Sequence, residues 1–162
     1  MRFKVKQFTV TAMLSIFVIG VLFSLLLLTT QNYGPHIYET ITINSKTFNI
    51  TALALNESQW QKGLMNATVT NSTLILFEFN QTADWPFWMY NTYTNLDMLW
   101  INYSYSSGSG NVIYIVKNAT SCFVASKCQI YDPHNAANFV LEAKAGFANR
   151  NNIGVGNSVV LR

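Results

Sequence analysis

The sequence predicts an α+β, mainly β fold: a small single domain of short antiparallel strands with one or two short helices, preceded by one N-terminal transmembrane helix. Three observations carry this. Residues 8–30 are 23 residues without a charge. Beyond them, short stretches alternate apolar and polar residues at period two between Asn, Ser and Gly punctuation. One short stretch after Asn56 has helical spacing behind a capping residue.

The chain divides into a cytoplasmic N-terminus (1–7), a signal anchor (8–30), a linker (31–39) and an extracytoplasmic β-rich domain (40–162). At helical rise the apolar run spans about 34 Å, enough for a ~30 Å hydrocarbon core. Arg2, Lys4 and Lys6 precede it, and the next charge is Glu39. The positive-inside rule then puts Met1 in the cytoplasm and the domain outside, on a single-pass cell-membrane protein. A cleaved secretory signal is the alternative. The run is longer than a usual signal core, and no A-x-A-like site follows Thr30.

Composition limits the partners. Residues 31–162 carry seven basic and seven acidic side chains, so the domain is formally neutral. That excludes the basic footprint of a nucleic-acid binder. Charged residues are 10 % of the chain, against roughly 25 % in an average soluble domain. Aromatics at 14 % argue against disorder.

Within the domain, Thr40 to Asn44 alternates, and Thr47 to Leu55 alternates again after an Asn44-Ser45-Lys46 turn. The pair reads as a hairpin with one buried face. Glu57 to Leu64 or Met65 reads as a helix with Trp60 and Leu64 on its apolar stripe. Leu74 to Phe79 reads as a strand, followed by a loop from Asn80 to Asp84. Pro86 points to an edge or a strand start in the tryptophan-rich stretch 85–92. Asp97 to Tyr103 and Asn111 to Lys117 read as a second hairpin, and Cys122 to Tyr131 as a loop. Asn135 to Glu142 reads as helix or strand, with Phe139 to Ala143 favouring strand. Gly146 ends it, a turn of helix follows, and Ser158 to Leu161 closes the chain as a strand.

Seven N-glycosylation sequons stand at Asn49, Asn56, Asn66, Asn71, Asn80, Asn102 and Asn118, about twice what the composition gives by chance. They fit an exported glycoprotein, although Asn49 and Asn102 fall in predicted strands and need an exposed face. Cys122 and Cys128 most simply form a disulfide in that compartment. A redox pair or half of a zinc site are the alternatives. His36 and His134 lie in no metal-spaced cluster, and Met65, Met89 and Met98 read as core filling. No cofactor or metal is implied, and no catalytic motif is present.

The stretch with chemistry in it is 85–101. Asp97 stands among large apolar residues, where a carboxylate must be hydrogen-bonded. One reading has Asp97 pin the turn before its strand. The other is a ligand cleft, with Trp85 or Trp88 as a flat wall and Asn91, Thr92, Asp97 and Glu142 as polar groups.

Gly63-Leu64-Met65, Phe87-Trp88-Met89 with Asn91-Thr92, Leu96-Asp97, Val140-Leu141-Glu142 with Gly146, and Gly154 with Gly156 resemble the domain of unknown function 192 family over residues 47–162. The cysteine pair is similar to that of the family's archaeal branch. The resemblance implies a small β-rich α+β domain, often exported or membrane-anchored, and no particular reaction. The chain departs from the family at Tyr90, where a basic residue is usual, and at Asn66-Ala67-Thr68, where an arginine is usual. An anionic ligand served by those cations would have lost them here.

Together these readings predict a membrane-anchored extracytoplasmic binding or interaction module without catalysis, acting at the cell envelope on a glycan or a membrane-protein partner. An accessory subunit of a membrane complex is a second expectation. A carbohydrate hydrolase using Asp97 and Glu142 as its carboxylate pair is a third.

Overall fold

The computed structural model describes residues 37–162. The 8–30 segment, its basic flank and His36 lie outside the described residues. Among the described residues, no helix is long and apolar enough to cross a membrane.

The domain is mainly β, with two short helices. In chain order it runs β1 (Thr40–Ile43), β2 (Lys46–Asn49), β3 (Ala52–Ala54), α1 (Glu57–Lys62), β4 (Leu74–Ala83), β5 (Phe87–Trp88) and β6 (Leu96–Ser104). Then come β7 (Ser109–Ala119), β8 (Ile130–Tyr131), β9 (Ala137–Lys144), α2 (Phe147–Asn151) and β10 (Ser158–Leu161). Eight strands form one sheet in the order β2-β1-β10-β7-β6-β9-β4-β3, and β5 and β8 pair separately. Among the described strands, β3 and β4 pair in parallel and the others antiparallel; an isolated parallel bridge also joins Tyr90 and Cys122.

The run Thr47 to Leu55, expected as one strand, is two. Ile50 still bonds in register with the first pairing, and the chain changes partner at Thr51. The Ile50 amide bonds the Glu39 carbonyl, while the Thr51 amide and hydroxyl both donate to the Leu74 carbonyl. Thus β2 and β3 are opposite edges of the same sheet, joined by two residues. The sheet must curl for so short a link to reach. Accordingly Ile41 and Leu161 from one end share a core with Leu53 and Leu74 from the other.

The sheet is covered on both faces, which is why β6 and β9 read as continuous apolar runs rather than alternating ones. One face carries Leu99, Ile101, Leu141, Phe147 and Val159. The other carries Phe77, Phe79, Met98, Trp100 and Val140. Trp100 is fully buried, and its indole N–H donates to the Trp85 carbonyl at 2.8 Å. That bond ties the central strand to the tryptophan-rich stretch lying over the second face.

Two further expectations are corrected. The strand read as Leu74 to Phe79 continues through the polar residues Asn80–Thr82 to Ala83, with a register shift after Glu78, because β9 still lies alongside. The cysteine loop contains β8, which pairs Tyr131 with Phe87 and Ile130 with Trp88. The 135–142 ambiguity resolves as strand, in β9.

The Asn44-Ser45 turn of the first hairpin has φ of 49° and 66°. Two positive φ values in a two-residue loop are the geometry that favours Asn-Gly. Asparagine tolerates it; serine is strained there. Ser45→Gly is expected to raise stability by about 0.5–1 kcal/mol, read as an upward shift of the thermal midpoint. A lower midpoint would refute the assignment of strain.

Candidate functional site

A cleft of about 340 Å³ opens on the second face of the sheet. Its floor is Glu142 of β9 and Phe77 of β4. One wall is the end of α1 and the following turn, Trp60 to Met65. The other is Trp85 to Trp88, with Thr92 beside it. The aromatic walls brace each other: Phe79 stacks on Trp85 with centroids 4.2 Å apart, and Phe87 meets Phe77 edge-on at 4.9 Å.

Local sequence explains the α1 wall. The Asn56 side chain accepts the Gln59 amide at the N-terminus of the helix, and Gly63 stops it after Lys62. Gly63 has φ 44° and ψ −129°, a conformation side chains exclude. A Cβ at this position would stand 3.2 Å from the Phe77 ring and 3.5 Å from Glu142 Oε2. The glycine therefore turns the chain and keeps the floor accessible. Gly63→Ala is expected to lower stability by about 1–2 kcal/mol and to narrow the cleft. Chemical denaturation checks the first effect. An unchanged midpoint would show that the backbone is not constrained.

Glu142 is 4 % exposed, and among the described residues its Oε2 has no hydrogen-bond partner. Burial pushes its carboxyl up to about 8, so it holds its proton near neutral pH. A buried polar atom without a partner is costly, and in a residue that lines a cleft it is a candidate contact for a ligand.

The expected site residues part company here. Trp88, Thr92 and Glu142 line the cleft; Asn91 and Asp97 do not. Trp88 is 40 % exposed at the rim, with its ring 5.3 Å from that of Tyr90. Thr92 is buried, its hydroxyl donating to the Tyr90 carbonyl at 3.4 Å. Asn91 works through its backbone at φ 51°. Its amide donates to the Cys122 carbonyl and its carbonyl accepts the Asn66 amide, which joins the Gly63-Leu64-Met65 turn to the cysteine loop. That loop is closed by a Cys122–Cys128 disulfide.

Asp97 is 1 % exposed and accepts two backbone amides, Asn118 on Oδ1 and Ala148 on Oδ2, each at 2.9 Å. It opposes Ala143 in the β6–β9 pairing, while Glu142 opposes Met98. Adjacent positions on a strand face opposite ways, so the two carboxylates sit on opposite faces of the sheet. The hydrolase expectation, which needs them in one cleft, is thereby overturned. Asp97 is hydrogen-bonded to backbone, but it pins β7 and the start of α2 and not, as expected, the turn before its own strand.

Trp60, Gly63, Met65, Phe77, Phe79 and Phe87 also line the cleft and had no site assignment from sequence. Gly63, Met65 and Phe87 lie in the quoted family motifs; Trp60, Phe77 and Phe79 carried only the signal of apolar residues on amphipathic elements. A separate polar corner forms where Asp84, Asp132 and His134 bring ligand atoms within 4.8 Å of one another. There the His134 amide donates to Asp132 Oδ1 and holds that carboxyl below its usual range. His134 itself is exposed, with φ 49°.

No curated protein matches the chain. Among solved structures, a protein provisionally described as a transcription regulator from Sinorhizobium meliloti 1021 superposes with a TM-score of 0.65. It is 29 % identical, with 79 % of this chain and 98 % of that one covered. A protein of unknown function from Novosphingobium aromaticivorans DSM 12444 superposes with a TM-score of 0.62 at 24 % identity, covering 74 % and 82 % of the two chains, and shares the fold. The model of the DUF192 family, described as "Uncharacterized ACR", matches residues 39–161, and the chain belongs to that family.

Proposed function

We propose that this protein is a membrane-anchored binding module whose domain lies outside the cytoplasm and takes a small ligand group into the aromatic cleft. The observation that carries the reading is the open, aromatic-walled floor in which Glu142 Oε2 stands without a partner. Sites of this kind combine apolar walls with a few placed polar groups. At about 340 Å³ the cleft suits a group the size of one sugar ring or one side chain.

The outside address rests on the uncharged 8–30 run and its basic flank. Three features of the domain are consistent with that address. All seven sequon asparagines are exposed, those in β2 and β6 included. Cys122 and Cys128 are joined. The domain is also formally neutral, which gives no support to carrying over the regulator description of the Sinorhizobium protein. Full-length protein in detergent, titrated with cell-envelope glycan fragments and followed by tryptophan fluorescence, is expected to saturate. Gly63→Ala is expected to weaken the response at least tenfold. A parent protein that is flat to glycan fragments and to small organic ligands alike, or an unchanged response in the variant, would remove the cleft from consideration.

A second reading, an accessory subunit of a membrane complex, is favoured by one specific feature. Trp88, Tyr93, Phe123, Val124 and Ile130 are all exposed, on β5, the turn between β5 and β6, the cysteine loop and β8. Tyr93 and Phe123 stack at 5.9 Å. Aromatic side chains grouped on a surface are characteristic of protein interfaces. Co-purification of a stoichiometric membrane partner from native membranes, lost on Phe123→Ser with Val124→Ser, is the result expected of this reading.

A further inference from the structure

We infer that the group the cleft accepts is a small organic ammonium, held by the Glu142 carboxylate at the floor and by the faces of the tryptophan and phenylalanine walls. The inference rests on the cleft being a ligand site, as proposed above, and names the chemistry of its ligand.

Two independent properties of the cleft select this class. The first is the orphaned Oε2. It calls for a donor, and a charged N–H donor makes a stronger bond than a neutral one. The second is the wall. Trp60, Trp85, Phe79 and Phe87 form one connected aromatic cluster around the opening, and Trp88 adds a half-exposed ring at the rim. Aromatic faces attract cations, most strongly when the cation is withdrawn from water. An anionic ligand would meet a carboxyl on the floor and the negative faces of the rings. A neutral hydroxyl would gain the hydrogen bond and forgo the attraction to the rings.

The charges around Glu142 are few. Its strand neighbours are Ile75 on β4 and Met98 on β6. The turn after α1 offers Gly63, and the opposite wall offers Thr92. Lys62 is the other charged side chain lining the cleft, and it is exposed at the rim, where water screens it. Nothing but burial holds the Glu142 proton. An ammonium group at Oε2 stabilises the ionised form, so it binds with release of that proton to solvent. In the bound state the carboxylate carries one negative charge and the ligand one positive, and no covalent bond changes.

The test uses full-length protein in detergent and two probes of nearly equal shape, phenethylammonium and the neutral 2-phenylethanol. Calorimetry at pH 7 and pH 8.5, in two buffers of different ionisation enthalpy, reads affinity and proton release together. With the Glu142 carboxyl at about 8 in the free protein, its ionised fraction rises roughly eightfold between the two pH values. Affinity for phenethylammonium is therefore expected to rise at least fivefold from pH 7 to pH 8.5. Close to one proton is released per ligand at pH 7, and the amine binds at least tenfold tighter than the alcohol at pH 8.5. Glu142→Gln is expected to abolish the proton release, the pH dependence and the preference for the amine. If the alcohol binds as tightly as the amine, or glycan fragments bind while the amine does not, the ammonium assignment is overturned and the cleft remains a ligand site. If neither probe nor any glycan fragment binds at millimolar concentration, both the assignment and the binding-module reading fall.

Discussion

Glu142→Gln is expected to leave stability nearly unchanged at pH 4 and to raise it above that of the parent protein by up to about 4 kcal/mol at pH 8 to 9. Below the ordinary glutamate range the carboxyl is protonated in both folded and unfolded chains. Glutamine then mimics a neutral acid of the same shape. As pH rises from about 4.5, the unfolded chain releases the proton while the fold holds it until about 8. The folded state binds more protons over that window, so parent stability falls with pH. Above 8 both states are ionised, and the deficit stays constant. Glutamine does not titrate, so the variant lacks this decline. Urea denaturation of both proteins across the range reads the difference directly. Parallel stability curves would show that the Glu142 carboxyl is solvated in the folded protein, contrary to its burial. The same measurement bears on function, because a charge the fold disfavours is one that a cationic ligand can relieve, and ligand binding then stabilises the fold most where the empty protein is weakest.

Much of the domain is legible in the sequence because its signals are local. Period-two alternation, the Asn44-Ser45 turn, the Asn56 cap and the Gly63 and Gly146 stops depend on neighbours within a few residues. The cleft is not local. Its floor and walls come from residues 60–65, 77, 79, 85–88, 92 and 142, brought together by strand register. A shift of one residue sends a side chain to the other face, and that is what separates the two carboxylates. Asp97 and Glu142 give the same signal in sequence, a single acid within an apolar run. One is satisfied and the other is not. The difference lies in the backbone amides of Asn118 and Ala148, which have no side-chain signature. For the same reason β8 escapes notice: two residues, Ile130 and Tyr131, are too few for any periodicity to register.

Asp97→Ala is expected to destabilise the domain by about 3–5 kcal/mol, more than most single changes in its core. The β6–β7 ladder shifts register between Leu96 and Met98, so Lys117 and Asn118 together face the position of Asp97. Asn118 has φ 57°, and its amide has left the regular ladder to bond Asp97 Oδ1. On the other side, α2 begins after Gly146, which has no side chain with which to cap it. Asp97 Oδ2 takes the Ala148 amide in its place, so a residue 51 positions away caps the helix and complements its dipole. Alanine removes both acceptors at once and leaves the buried Ala148 amide with no alternative among these groups. Asp97→Asn keeps one acceptor oxygen and presents an N–H to the other amide, so it is expected to lose about 2–3 kcal/mol. The two variants separate this role from ligand binding. Both should lower the urea midpoint while leaving the phenethylammonium affinity of the folded fraction unchanged, because Asp97 faces away from the cleft. A variant that folds with parental stability and loses ligand would instead place Asp97 in the site.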